Sequence, residues 1–432
     1  MTHEAATWPA PVAAGPVVAT VSLPGSKSQT NRALVLAALS HESSVLVAPL
    51  RSRDTELMVA GLRAMGADVD DTSDDWSVRP ARLHGPAQVD VGNAGTVMRF
   101  LPPVAALATG PVRFDGDPRS HQRPLAPVVG ALRDLGVEVA ASHDRLPLTV
   151  HGRGWVLGGS VEIDASTSSQ FVSALLLAAP RFADAVEVRH VGGRIPSGAH
   201  IDMTVAMLRS AGAIVEHVDD TTWRVEPGPL HIGRHLVEPD LSNAAAFLAA
   251  AVVTGGRVTV PGWPLRTTQA GDALRHLLPR FGATVELDEH GLTVTGPDRV
   301  VGADLDLSDV GELAPVLTAV AALADGPSTL HGIGHLRHHE TDRLAALSRE
   351  IGALGGDVRE TADGLEVHPR RLHEGRFETY EDHRLATAAA VLGLRVAGVE
   401  VVDVATTAKT LPTFVPLWEQ MLTARSVEGR RG

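Results

Sequence analysis

The chain has 432 residues, 44% of them hydrophobic and 21% charged, with no cysteine and a formal net charge of −13 at neutral pH. This is more chain than one hydrophobic core fills, so two domains of a soluble globular protein are expected. The composition excludes disulfides, thiolate metal sites and a cysteine nucleophile, and the acidic balance argues against nucleic acid as the main partner. The first eighteen residues lack the basic and apolar regions of a signal peptide, and no apolar run approaches a membrane span. The cytoplasm is therefore the expected location.

In chain order, residues 17–23 (VVATVSL) alternate as a strand does, and Pro24-Gly25 breaks the pattern. A helix then starts in Pro24-Gly-Ser-Lys-Ser-Gln-Thr-Asn-Arg32, where serines can cap it and Lys27 and Arg32 add positive charge. The spacing is not that of a Walker A loop, and a capped helix with surface cations is an equal reading. Gly92-Asn-Ala-Gly-Thr96, followed by Arg99, would let a ligand approach backbone N–H groups closely, although a simple turn explains it as well. Pro102 and Pro103 predict that the following helix is kinked or starts late. Asp117–Pro124 places Arg119 and Arg123 in a proline-bounded loop, and 160–164 (SVEID) reads as a strand. Ser166-Thr-Ser-Ser-Gln170 gathers three serines and an amide at another helix start, a density that suits a phosphate or a polyol. Ser197-Gly-Ala-His200 is a weaker signal of the same kind.

Pro239-Asp240 precedes the fourth helix start and marks a domain crossing, giving domain II as 21–238 and domain I as 1–20 with 239–432. Residues 257–260 (RVTV) read as a strand, and Glu312 stands at a helix start where a plain dipole partner would also fit. His335–Arg343 packs three histidines, two acids and two arginines into nine residues. Recognised zinc spacings are missing and the adjacent cations oppose a metal ion, so no metal is expected. Tyr380-Glu-Asp-His-Arg384 and Thr407-Ala-Lys-Thr410 contribute Arg384 and Lys409, and the polar tail from Thr423 should fray.

These elements form a period. The polar helix starts at Ser28, Thr96, Ser168, Ser242, Glu312 and Asp382 are 68, 72, 74, 70 and 70 residues apart. A second series, Gly66, Gly136, Gly212, Gly282 and Gly355, is spaced by 70, 76, 70 and 73 residues and reads as helix, C′ glycine, strand. Such a period exceeds that of solenoid repeats and suits a small βα unit written six times, three units to a domain. Because the polar residues stand at helix N-termini, the repeated phase points to an anion-binding centre.

The segments PGSKSQTNRA, GNAGTVMR, DPRSHQRP, SSQF, HETDRL, EDHR and TAKT occur in this order across the chain and resemble those of the 5-enolpyruvylshikimate-3-phosphate synthases. The resemblance implies an α/β fold of two similar domains, each of three βαβαββ units in an inside-out α/β barrel. That agrees with the six copies counted above. It also implies transfer of the enolpyruvyl group of phosphoenolpyruvate to the 5-hydroxyl of shikimate 3-phosphate without a cofactor, and nothing in the sequence demands more than a monomer. Lys27, Glu312 and Glu340 would be catalytic. Shikimate 3-phosphate would meet Lys27, Ser28, Arg32, Ser168, Ser169, Gln170, Ser197, Glu312, His335 and His339. Phosphoenolpyruvate would meet Lys27, Gly95, Arg123, Gln170, Arg343, Arg384 and Lys409, and the inhibitor glyphosate would enter beside Gly95.

The substrates carry roughly six negative charges at neutral pH, which Lys27, Arg32, Arg123, Arg343, Arg384 and Lys409 match in number. Several positions depart from the family's usual residues. His200 stands for Tyr, His335 for Asn, His339 for Lys, Glu312 for Asp and Phe100 for Pro. His339 would make one cation near the 5-hydroxyl titrate near neutral pH. The alternatives are a transferase acting on UDP-N-acetylglucosamine and a non-catalytic anion-binding protein of the same fold. The missing cysteine in the Asp117–Pro124 loop and the Ser168-Ser169-Gln170 signature disfavour the first; retention of both carboxylates and all six cations disfavours the second.

Overall fold

Alanine- and leucine-rich runs without a polar face need burial on every side, and they become the centre of each unit. In the computed structural model, which describes residues 6–424, the chain divides at Pro24/Gly25 and Glu238/Pro239. One unit is Gly25–Glu238, and the other joins the residues up to Pro24 with those from Pro239 onward.

The first unit holds α1 (Lys27–Ala38), α2 (Arg53–Ala64), α3 (Gly95–Ala105), α4 (Ala126–Asp134), α5 (Gln170–Ala178) and α6 (Ala199–Ser210). Helices α1, α3 and α5 pack on one another and are buried almost throughout, α3 along its whole length. By contrast α4 buries only Val128, Val129, Ala131 and Leu132, the one-sided stripe of an outer helix. Three four-stranded mixed sheets surround them. In one, the strands lie in the order Ala87–Asp90, Thr109–Asp115, Leu148–Arg153, Glu138–Ala141. Its first pair is parallel, as a crossover through α3 requires, and a hairpin adds the antiparallel remainder. This is a βαβαββ unit, and Gly159–Ile163, Val186–His190, Thr222–Val225 and Val215–Asp219 repeat it around α5 and α6. The third sheet borrows its first strand, Arg234–Leu236, from the far end of the unit.

The second unit repeats the plan with α7 (Leu241–Thr254), α8 (Leu274–Leu277), α9 (Ala314–Ala322), α10 (Arg343–Ala353), α11 (His383–Gly393) and α12 (Phe414–Thr423). Here α7, α9 and α11 are the mutually packed, buried helices. The alternating run at 17–23 supplies Val18–Thr20, which pairs in parallel with Arg257–Val260.

All five glycines of the second series take a positive φ, from +79° at Gly136 to +98° at Gly66, so each closes a helix in the left-handed conformation. Among the described residues the sixth repeat shows no such glycine in phase and no hairpin. Its sheet has three strands, Gly375–Glu378, Val399–Val402 and, antiparallel, Thr7–Pro9 from the start of the chain.

Of the two outcomes expected at the proline pair, a kink or a late start, the structure excludes the late start. Pro102 and Pro103 do not delay the second helix, which begins at Gly95 and runs through both prolines. Burial of all eleven residues outweighs the two lost backbone donors. The tail expected to fray lies outside the described residues beyond Ala424. Among the described residues no helix is long and apolar enough to cross a membrane.

Candidate active site

In the first unit the polar starts of α1, α3, α5 and α6 carry the residues singled out from the sequence. Ser26 caps α1, its side chain accepting from Gln29 N, which puts Lys27 and Ser28 on the first turn. Lys27 Nζ lies 3.2 Å from Oδ2 of the buried Asp54. One turn on, Arg32 is only 1% exposed. It donates from Nε to Thr204 Oγ1 at 2.7 Å, from Nη1 to the Ser28 carbonyl at 3.1 Å and from Nη2 to the His200 carbonyl at 3.0 Å, with its guanidinium 5.1 Å from the Phe100 ring. Among the described residues no carboxylate bonds it, and burial pushes its pKa down to about 9. A buried cation held only by neutral oxygens favours an arriving anion.

Gly95 is the first residue of α3, and a Cβ there would meet Arg123 Nη2 at 2.7 Å, Gln170 Oε1 at 3.1 Å and Arg99 Nη1 at 3.2 Å. Glycine thus lets three polar groups converge on a helix N-terminus. Arg123 donates to the carbonyl and side-chain oxygens of Asn93 at 2.7 and 3.0 Å, while its Nε is buried without a partner among the described residues. Gln170 opens α5, directly after Ser168, whose Oγ accepts Gln170 N at 3.3 Å, and the buried Ser169. Ser197 sits just before α6 with φ +53°, a left-handed conformation unusual for serine. The structure adds Arg99, whose Nη1 donates to Gln170 Oε1 at 2.8 Å. Four residues from Gly95, it shares the helix face of that glycine, which is the signal in GNAGTVMR that points to it.

In the second unit two of the cations, Arg343 and Lys409, are already paired with carboxylates. Arg343, the first residue of α10, donates to Asp382 from Nε at 2.7 Å and from Nη2 at 3.1 Å, and Nη2 also lies 3.0 Å from Glu340 Oε2. Burial would lower its pKa, but Asp382 and Glu340 hold it well above the ordinary arginine value. Lys409 Nζ meets Glu340 Oε1 at 2.9 Å, and His339 Nδ1 lies 3.4 Å from Arg343 Nη1. Arg384, its pKa lowered mainly by burial, donates to the Ser242 carbonyl at 2.9 Å, and Ser242 Oγ reaches Glu312 Oε1 at 3.4 Å. His335 packs against Gly311, where an added Cβ would lie 2.7 Å from its Nε2. That nitrogen is buried without a partner among the described residues, and burial pushes the imidazole down to about 4. Counting cations against substrate charge therefore omits Asp54, Asp382 and Glu340, which pair with Lys27, Arg343 and Lys409. Among the described residues no group of His, Asp and Glu is arranged to hold a metal ion.

The family model for EPSP synthase (3-phosphoshikimate 1-carboxyvinyltransferase) matches residues 12–418. A relative from Kocuria rhizophila named 3-phosphoshikimate 1-carboxyvinyltransferase is 56% identical over 428 residues, 96% of either chain. The chain belongs to the EPSP synthase family. Solved structures agree at the level of the fold. EPSP synthase from Acinetobacter baumannii is 22% identical and superposes with a TM-score of 0.78, covering 96% of this chain and 97% of that one. The enolpyruvyl transferase NikO from Streptomyces tendae is 17% identical, with a TM-score of 0.71 over 95% and 96% of the two chains. The two-domain enolpyruvyl transferase fold is thus the fold of this protein.

Proposed function

We propose that this family member transfers the enolpyruvyl group of phosphoenolpyruvate to the 5-hydroxyl of shikimate 3-phosphate, releasing phosphate. The observation that carries the reading is the pair of buried guanidiniums, Arg32 and Arg123, held by neutral groups at the serine- and glycine-marked helix starts. Such cations are built for phosphate and carboxylate ligands. Shikimate 3-phosphate is assigned to Lys27, Ser28, Arg32, Ser168, Ser169, Gln170, Ser197, Glu312, His335 and His339. Phosphoenolpyruvate is assigned to Lys27, Gly95, Arg123, Gln170, Arg343, Arg384 and Lys409. The enzyme is read as cytoplasmic and monomeric, since a cysteine-free chain suits a reducing compartment and the chemistry demands no second copy.

Addition joins the 5-oxygen to C2 of phosphoenolpyruvate as the hydroxyl loses its proton and C3 gains one. The product is a tetrahedral ketal phosphate. Elimination then breaks the C2–O bond to phosphate, which leaves with the electron pair, while C3 gives up a proton and the double bond returns. Glu312, its carboxylate touched by Ser242, accepts the hydroxyl proton. Glu340 and Lys27 handle the C3 proton and the departing phosphate. Glu340 is held on both oxygens, by Arg343 and Lys409, an arrangement that suits a carboxylate taking the proton from the C3 methyl group of the adduct.

General acid–base assistance is worth about 10²–10⁴-fold. The Glu312→Gln and Glu340→Gln variants should therefore lose turnover by that order in an assay of phosphate release while keeping a folded circular-dichroism spectrum. Near-normal turnover in either would remove that residue from the mechanism. Absence of any phosphate release by the wild-type enzyme from the two substrates together would overturn the reading itself.

A further inference from the structure

Glu350 is a buried carboxylate, 4% exposed, that the proposed chemistry does not use. It lies on α10, two turns beyond Arg343. Its Oε1 accepts the hydroxyl of Tyr380, the only tyrosine of the chain, and its Oε2 accepts Glu378 N at 2.9 Å. One carboxylate therefore clasps both ends of the segment Glu378–Tyr380. Beyond it, Tyr380 and Glu381 are consecutive non-glycine residues in the left-handed region, at φ +52° and +57°. A side chain disfavours that conformation at each position, so surrounding contacts must hold the turn. The turn leads directly into Asp382, which caps α11 by accepting Arg384 N at 2.9 Å and grips Arg343 through both oxygens.

Two hydrogen-bonded links thus tie α10 to the start of α11. One, Arg343–Asp382, contains an assigned phosphoenolpyruvate cation. The other, Glu350 with Tyr380, touches no assigned substrate residue and fixes the strained turn that aims Asp382 and Arg384. The Tyr380 hydroxyl donates to Glu350 and accepts from Arg349 Nη1, also on α10, at 3.4 Å; burial and the carboxylate raise its pKa, and Arg349 opposes them.

We infer that Glu350 and Tyr380 are positioning residues for the phosphoenolpyruvate cations Arg343 and Arg384, holding the left-handed turn at Tyr380–Glu381 in its binding geometry. This rests on the assignment of Arg343 and Arg384 to phosphoenolpyruvate. Losing the clasp weakens ground-state and transition-state binding of that substrate equally, so it raises KM and spares kcat.

The test is steady-state kinetics of Tyr380→Phe and Glu350→Gln, varying each substrate in turn, with thermal unfolding of each variant alongside. The expected result is a rise of about tenfold in KM for phosphoenolpyruvate, with KM for shikimate 3-phosphate and kcat within about twofold of wild type. Glu350→Gln keeps one acceptor oxygen, so it covers the case in which Tyr380→Phe fails to fold. An unchanged KM for phosphoenolpyruvate in folded variants would overturn the inference alone. A parallel rise in both KM values with a fall in kcat, or loss of folding in both variants, would make the pair a general structural support and overturn it equally. A wild-type enzyme without turnover would overturn the functional reading and the inference with it.

Discussion

Gly95 shows how much a single side-chain-free position decides. An added Cβ would come 2.7 Å from Arg123 Nη2, so Gly95→Ala must displace a guanidinium assigned to phosphoenolpyruvate. The variant should raise KM for phosphoenolpyruvate by about tenfold and lose glyphosate sensitivity, with kcat little changed. Undiminished inhibition would remove the steric argument. His335 makes a different prediction. Burial is the main cause of its low pKa; Arg343 and His338 reinforce it, while Glu312 and Asp363 oppose it. The unfolded chain takes up this proton near pH 6.5, but the folded chain resists until about 4. Stability contributed by the neutral ring is therefore complete above 6.5 and lost as pH falls toward 4, by up to roughly 3 kcal/mol. Denaturant unfolding of His335→Asn should fall less steeply than wild type across that window, and parallel curves would contradict this. The assigned side chains were legible only through the resemblance of the motifs that carry them, as PGSKSQTNRA carries Lys27 and Arg32. The sequence did not expose Asp54 or Asp382 as ion-pair partners, since a charge in a sequence carries no address.

At the scale of elements, legibility came from the period. A glycine recurring after the outer helices marks a left-handed C′ position, and the first five repeats obey it because the following hairpin demands the turn. Gly136 and Gly130 isolate that effect, since an added Cβ at either would touch nothing within 4 Å. Gly136 has φ +79°, so Gly136→Ala should destabilise by roughly 1 kcal/mol or more through backbone strain alone. Gly130 lies inside α4, so Gly130→Ala should stabilise by about 0.5–1 kcal/mol. Chemical denaturation of the two variants should therefore move in opposite directions, and shifts of the same sign would contradict this account. At Pro102-Pro103 the expectation of a late start failed, since a fully buried helix begins at Gly95 and runs through both prolines. Local rules also could not show that Thr7–Pro9 completes the last sheet, because a three-residue strand nearly 400 residues from its partner leaves no periodic trace.

For the whole molecule, six repeats and two crossings distribute the proposed chemistry unevenly. The unit Gly25–Glu238 offers Arg32 and Arg123 without carboxylate partners among the described residues and pairs Lys27 with Asp54, whereas the other unit holds Arg343 and Lys409 against Asp382 and Glu340 and sets Arg384 on the Ser242 carbonyl. The repeat count was visible in the sequence because helix starts and C′ glycines keep phase. The charge balance was not, because it depends on which acids fold back onto which cations. The acceptor of the proposed reaction is the claim on which the rest depends. The most direct test is phosphate release from phosphoenolpyruvate in the presence of EDTA, with shikimate 3-phosphate and UDP-N-acetylglucosamine offered in parallel. Release with shikimate 3-phosphate alone is the result expected here; release only with the sugar nucleotide, or with neither acceptor, would contradict it.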